Sequence, residues 1–149
     1  LREVFLHNWA LLYQRGLVLA TPSRYYGRMY EIRVEADFAA AHFLADYHGK
    51  CERLHGHNYR VLAHARGGDL DAGGMLLDFG VLKDALRGVC ASLDHSNLND
   101  IPEFLNNPSA ERIARYIYER MAERIPGSLL WAVDVYETPT SRARYRPDS

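Results

Sequence analysis

Cysteine is scarce in this chain: Cys51 and Cys90 are the only two among 149 residues. Two thiols make no disulfide framework, so a reducing, cytoplasmic setting is the expectation and stability has to come from a buried core. An excess of charge of either sign is lacking as well. Lys and Arg number 18 against 19 Asp and Glu, a formal net charge of −1. Such a balance offers no field that would gather nucleic acid or an anionic membrane, and neither is expected as a partner. No apolar run is long enough to span a bilayer, and there is no internal repeat or low-complexity tract. What remains is an ordinary globular composition, 48% hydrophobic and 25% charged, in a chain long enough for one domain with a sizeable core.

Against this plain background one stretch carries unusual chemistry, Cys51-Glu52-Arg53-Leu54-His55-Gly56-His57-Asn58-Tyr59. In an extended strand side chains alternate faces, so His55 and His57 point the same way with Gly56 leaving room between them. Two imidazoles on one face make half a metal site. His42, in Phe38-Ala39-Ala40-Ala41-His42-Phe43, is the first candidate for a third ligand. Three neutral histidines on zinc leave a coordination position open, the arrangement of a catalytic rather than a structural site.

The amino-terminal residues 1–28 read differently from the rest. Apolar residues from Val4 to Leu19 are interrupted by Glu3, His7, Asn8, Gln14 and Arg15, which argues against a signal peptide. A short docked amphipathic helix is another reading. The favoured one is an extension, with a single domain over 29–149, because a strand pattern starts at Tyr30. Tyr30–Phe38 alternates Ile32, Val34, Ala36 and Phe38 against charged residues, and His57–Ala65 alternates again. Glycine and aspartate punctuate residues 67–74, and Met75–Asp78 is a short extended piece. A helix is expected from Phe79 to Ser92, with Leu82, Leu86 and Val89 at helical spacing. A second helix is expected to open with Asn107 as N-cap and Pro108 at the first helical position, and to stop at Pro126-Gly127. Strands follow over Leu129–Glu137 and Ser141–Arg146. Helices grouped between strand pairs argue for an α+β fold, an antiparallel sheet with helices on one face.

Several side chains in this order invite chemistry. Cys51 sits between Lys50 and Arg53 and near the metal-ligand candidates, an electropositive setting that favours thiolate. It would act as general base, or as a fourth metal ligand that closes the site. Asp94-His95 pairs a carboxylate with an imidazole past a helix end, a general acid–base pair or a turn cap beside a solvated histidine. Glu137 ends a strand, where a carboxylate can accept two parallel hydrogen bonds from a planar N–H edge such as a pterin or guanine ring. Cys90 reads as core, the tyrosines as packing, and His7, His48 and His64 as solvated or incidental.

Taken together and in order, Ala39-Ala40-Ala41-His42, Cys51-x-x-x-His55-Gly56-His57-Asn58, Leu77-Asp78-Phe79, Leu93-Asp94-His95-x-x-Leu98-Asn99, Asn107-Pro108-Ser109-Ala110-Glu111 and Tyr136-Glu137-Thr138 resemble the 6-pyruvoyltetrahydropterin and 6-carboxytetrahydropterin synthase family. The resemblance runs from about Met29 to Arg146. Three residues between the cysteine and His-Gly-His, with Leu-Asp-Phe downstream, make the chain more similar to the bacterial 6-carboxytetrahydropterin synthases of queuosine biosynthesis than to the animal pyruvoyl enzymes.

The resemblance implies a T-fold (tunnelling-fold) subunit, a four-stranded antiparallel sheet with two helices on one face. It implies closure of several subunits into a barrel, commonly a homohexamer built as a dimer of trimers. His42, His55 and His57 match the family's zinc ligands, Cys51 its catalytic base, Asp94 and His95 its proton relay from a neighbouring subunit, and Glu137 its pterin-anchoring acid. The implied substrate is 7,8-dihydroneopterin triphosphate, with Lys50 and Arg53 as candidates for the triphosphate. The implied products are 6-carboxytetrahydropterin, acetaldehyde and triphosphate. A pyruvoyl synthase, or a zinc- and pterin-binding oligomer without turnover, are the alternatives. Two features depart from the family pattern: residues 1–28 have no counterpart, and Ser109-Ala110 stands where relatives often carry two hydroxyl residues.

Overall fold

The computed structural model describes residues 29–45, 47–126 and 128–148. The expectation of an amino-terminal extension over 1–28, and the reading of His7, lie outside the described residues. Strand β1 spans Tyr30–His42 and β2 spans His55–Gly67, both longer at the histidine end than the alternation alone predicts. Helix α1 runs Phe79–Leu93, followed by the two-residue strand β3 at Ser96–Asn97. Helix α2 runs Ala110–Ala122, and strands β4 and β5 cover Leu130–Thr138 and Ser141–Tyr145.

The strands form one sheet in the order β3-β1-β2-β4-β5. The four long strands are antiparallel, as expected. The fifth is an addition: β3 pairs parallel to β1 at Ala40 and Ala41. It exists because His95 takes a left-handed backbone, φ 55°, that turns the chain after α1 back along the strand edge.

Both helices cover the same face. Val34, Phe38, Tyr59, Val61, Ala63, Val133 and Val135 point into it from the sheet, and α1 contributes Leu82, Leu86, Val89 and Leu93 while α2 contributes Ile113, Ile117 and Met121. Asp78 starts α1, its carboxylate accepting the Gly80 N–H at 2.6 Å. Cys90 is buried in this core, as read, and burial pushes its thiol up to about 12. Tyr118 also packs, its hydroxyl donating to the Leu130 carbonyl at 2.9 Å.

Three expectations need correction. Ser109, not Asn107, caps α2: its Oγ accepts the Arg112 N–H at 3.4 Å. Asn107 and Pro108 precede the helix in a turn whose carbonyls are used elsewhere, by the Ser109 N–H at 2.8 Å and by the His42 ring at 2.9 Å. Residues 75–78 form no strand, because the Asp71 carboxylate gathers the N–H groups of Gly73 and Met75 and curls the segment into a turn. And His64 is neither solvated nor incidental. It is 4% exposed on the sheet's other face, with Nδ1 3.0 Å from Glu31 and Nε2 2.9 Å from Asp134. Arg144 grips the same Asp134 through two nitrogens at 2.7 and 2.8 Å. That face is charged: Glu31, Arg33, Glu35 and Asp37 from β1 lie opposite Arg66, His64, Leu62 and Arg60 from β2.

Candidate active site

The end of β1 and the start of β2 build the centre of the site. Cross-strand register places His42 directly opposite His55 and Ala40 opposite His57. Because strand side chains repeat every second residue, all three rings project from the helix-covered face at one end of the sheet. Ring centroids are 4.5 Å apart for His42 and His55, 5.2 Å for His42 and His57, and 5.0 Å for His55 and His57. One nitrogen from each lies within 4.8 Å of the other two.

Two of the rings are held in a definite tautomer. His42 Nδ1 is 2.9 Å from the Pro108 carbonyl, and His55 Nδ1 is 2.7 Å from the Arg53 carbonyl. A carbonyl only accepts, so each Nδ1 carries the proton and each Nε2 presents a lone pair. His42 is almost fully buried, and burial, ahead of all other influences, holds its pKa below the ordinary histidine value. It is therefore a neutral ligand donor at physiological pH. Its Nε2 is sealed from solvent without a hydrogen-bond partner. A buried polar nitrogen left bare costs about 1–3 kcal/mol unless something fills the place. The unpartnered nitrogen and the donor set around it fit a metal ion.

Glu137 reaches the same place from β4. Its Oε1 stands 3.9 Å from His42 Nε2, with the side chain about one quarter exposed. A cleft of about 200 Å³ opens beside it, lined by Leu44, Ser109, Ala110, Glu111, Ser141 and Arg142 among others. Ser109 thus keeps a place at the cleft although its hydroxyl is occupied as a helix cap.

Asp94 and His95 lie elsewhere, on the β1 edge. Asp94 accepts the Ala39 N–H at 2.8 Å through Oδ1 and meets His95 Nδ1 at 2.8 Å through Oδ2. The Ala39 N–H first, and the His95 ring next, hold the Asp94 carboxyl below the usual carboxylate range. The His95 ring is 84% exposed and borders a second cleft of about 390 Å³, with Ala39, Ala41, Gly56 and Asn58. The pair is carboxylate behind imidazole; His57 lines the same cleft, but neither Asp94 nor His95 belongs to the group of three histidines that converges on one point. Cys51 is half-buried in a short 3₁₀ turn, Lys50–Glu52, tied to the site through its carbonyl, which accepts the Leu44 N–H at 2.8 Å. The group that converges on one point contains the three histidines and not Cys51. A fourth-ligand role for the thiol has no support in this arrangement.

Sequence reasoning passed over three supporting groups. Pro108 contributes a carbonyl, which no side-chain pattern reveals. Asn99 ties the loop to the end of β1, with Oδ1 on the Phe43 N–H and Nδ2 on the Phe43 carbonyl, both at 2.9 Å. Tyr59, two residues past His57, is completely buried. Its ring stacks on Phe38 and meets His42 and His57 edge-on. Burial raises its phenol well above the ordinary value, with the nearby Glu137 charge adding to it.

Known proteins are similar to this chain in sequence and in fold. The 6-pyruvoyl tetrahydropterin synthase family model matches residues 31–148. A 6-carboxy-5,6,7,8-tetrahydropterin synthase of Synechocystis is 42% identical over 123 residues, 78% of this chain and 93% of its own. The Bacillus subtilis protein of the same name is 35% identical, covering 79% of this chain and 86% of its own. Among solved structures, the Caenorhabditis elegans 6-pyruvoyl tetrahydropterin synthase superposes with a TM-score of 0.74 at 28% identity, over 81% of this chain and 97% of that one. With the family's sequence pattern across its body, and the T-fold sheet and helices beneath it, the chain belongs to the 6-pyruvoyl tetrahydropterin synthase family of enzymes.

Proposed function

We propose that this chain is a zinc-dependent lyase, a 6-carboxy-5,6,7,8-tetrahydropterin synthase acting on 7,8-dihydroneopterin triphosphate in 7-deazaguanine (queuosine) biosynthesis. The observation that carries the reading is the convergence of His42, His55 and His57 on one point, with a bare buried Nε2, in a chain 42% identical to a relative of that name. His42, His55 and His57 would hold the zinc. Bound there, zinc supplies Lewis acidity, lowering the pKa of the hydroxyls on the substrate's side chain.

The chain's own groups do the rest. Glu137 accepts the N–H groups of the pterin edge and fixes the ring beside the metal centre. Cys51, as thiolate, takes a side-chain proton. His95, with Asp94 fixing its Nδ1–H, leaves Nε2 free to move protons during tautomerisation. Lys50 and Arg53 supply positive charge for the triphosphate.

Because Asp94 and His95 stand outside the group formed by the three histidines of their own chain, this reading joins to a second one, a homo-oligomer. Among the described residues, the outer side of β1 beyond the short β3 contact is an open strand edge, and so is that of β5. Open edges recruit further strands. On the polar face β1 carries three acids and one base, Glu31, Glu35 and Asp37 with Arg33, against Arg142 and Arg144 on β5. A ring of copies, edge to edge, would bring one subunit's relay to another's metal centre, and a hexamer of two trimers is the assembly we infer.

Turnover of 7,8-dihydroneopterin triphosphate by zinc-loaded protein, with products read by mass spectrometry, tests the function. Carboxytetrahydropterin with acetaldehyde is the expected result. A pyruvoyl product would move the chain to its sister activity with the same site. Zinc and pterin binding without any product would overturn the catalytic reading.

A further inference from the structure

Among the described residues, two buried side-chain polar atoms have no hydrogen-bond partner, His42 Nε2 and Tyr59 Oη. They belong to neighbouring rings, with centroids 6.0 Å apart. The first is accounted for by the metal. The second is not, because the metal needs no phenol when three imidazoles already converge.

Tyr59 is 0% exposed, so bulk solvent does not reach its hydroxyl, and buried hydroxyls in native proteins are paired. Phe38 stacks on one side of the ring at 4.7 Å and offers no acceptor. His42 has one nitrogen committed to Pro108 and the other aimed at the metal position. That leaves the strand on the other side. Arg60 and Tyr136 are the last pair across β2 and β4, and one residue beyond them along their strands come Tyr59 and Glu137. Glu137 already reaches within 3.9 Å of His42, whose ring Tyr59 meets edge-on. Its carboxylate has lone pairs to spare, and it turns on freely rotatable bonds.

We propose that Tyr59 is a positioning residue for Glu137: its hydroxyl donates to one face of the carboxylate and locks the orientation in which the other lone pairs accept a planar heterocycle. This rests on the reading that Glu137 anchors the pterin ring. The phenol loses its orphan state, and the acid loses the freedom it would otherwise have to give up on binding. A donor to a charged acceptor is the strong class of hydrogen bond. Phenylalanine in its place would keep the stack on Phe38 and remove only the donor.

The test is a double-mutant cycle on zinc-loaded protein, with neopterin as the fluorescent probe of ring binding. Tyr59→Phe is expected to weaken neopterin binding about tenfold, the scale of one charge-assisted hydrogen bond, with zinc per chain unchanged. Glu137→Gln is expected to weaken it further. The double variant should then bind no worse than Glu137→Gln alone, since the hydroxyl acts only through the carboxylate. Wild-type affinity in Tyr59→Phe, or losses that multiply in the double variant, would overturn the proposal. Wild-type affinity in Glu137→Gln would instead overturn the ring-anchor reading on which it stands.

Discussion

His42 Nε2 and Glu137 Oε1 face each other across 3.9 Å, one from the end of β1 and the other from β4. A metal held by the first and a ring held by the second, as proposed above, would be neighbours, and substrate bound at both would be fixed in two places at once. Each attachment has its own signature when removed.

His42→Ala should take bound zinc from one per chain to background by metal analysis, and turnover with it. His55→Ala should do the same. Removing a ligand leaves two imidazoles, and structural or catalytic zinc sites rely on at least three protein ligands. Glu137→Gln, in contrast, should keep its zinc and raise KM.

Cys51→Ala should retain zinc, because the sulfur lies outside the three-histidine group. Turnover should fall by about 100-fold or more, the usual contribution of a positioned base. Unchanged turnover with zinc in place would remove Cys51 from the mechanism.

Asp94→Asn replaces an acceptor that serves two donors, the Ala39 N–H and His95 Nδ1. The amide can keep the first by presenting its oxygen, but it turns an N–H toward the imidazole and favours the wrong tautomer. A fall in kcat of about 100-fold, with little change in melting temperature, is expected. The native carboxyl is held below the usual carboxylate range. The pair therefore stays intact down through pH 5 and fails only as pH falls through that lowered value. The acid limb of the wild-type kcat profile above pH 5 should not come from Asp94.

The buried Asp134 gives a prediction about stability rather than catalysis. Burial pushes its carboxyl up, but hydrogen bonds from Arg144 and His64 and their charges outweigh burial and hold it below the usual range. Its ionised form therefore contributes fully above about pH 4, the unfolded value, and the contribution is lost as pH falls through the lowered native value. Arg144→Ala removes the main partner of a carboxylate that is 1% exposed. It should cost about 3 kcal/mol and shift acid unfolding, followed by circular dichroism, to higher pH.

How much of this was legible in the sequence depended on whether the relevant partners were local. His55 and His57 could be placed on one face because strand periodicity is two residues, a rule that needs no knowledge of the rest of the fold. The core face of α1 was legible for the same kind of reason. His64 was not, since its partners Glu31 and Asp134 lie 33 and 70 residues away and only sheet pairing brings them together. The cap of α2 was misplaced by two residues because Asn107-Pro108 has the right chemistry for a cap. What decides between it and Ser109 is the demand on the Pro108 carbonyl from a histidine 66 positions earlier. The left-handed turn at His95 carries no residue signal, such as glycine, that would announce it.

The last four residues of β1 and the first beyond it serve three parts of the site in succession. Ala39 holds Asp94 through its N–H and His95 through its carbonyl, Ala40 and Ala41 hold β3, His42 points at the metal position, and Phe43 is latched by Asn99. If this strand end frays, the relay and the metal pocket open in the same event, for the same free energy. Amide hydrogen exchange at Ala39 and Phe43 should therefore report one opening, and metal that binds the closed form should slow both amides by the same factor. The site would be lost as a unit, leaving no state in which its acid–base half outlives its metal half.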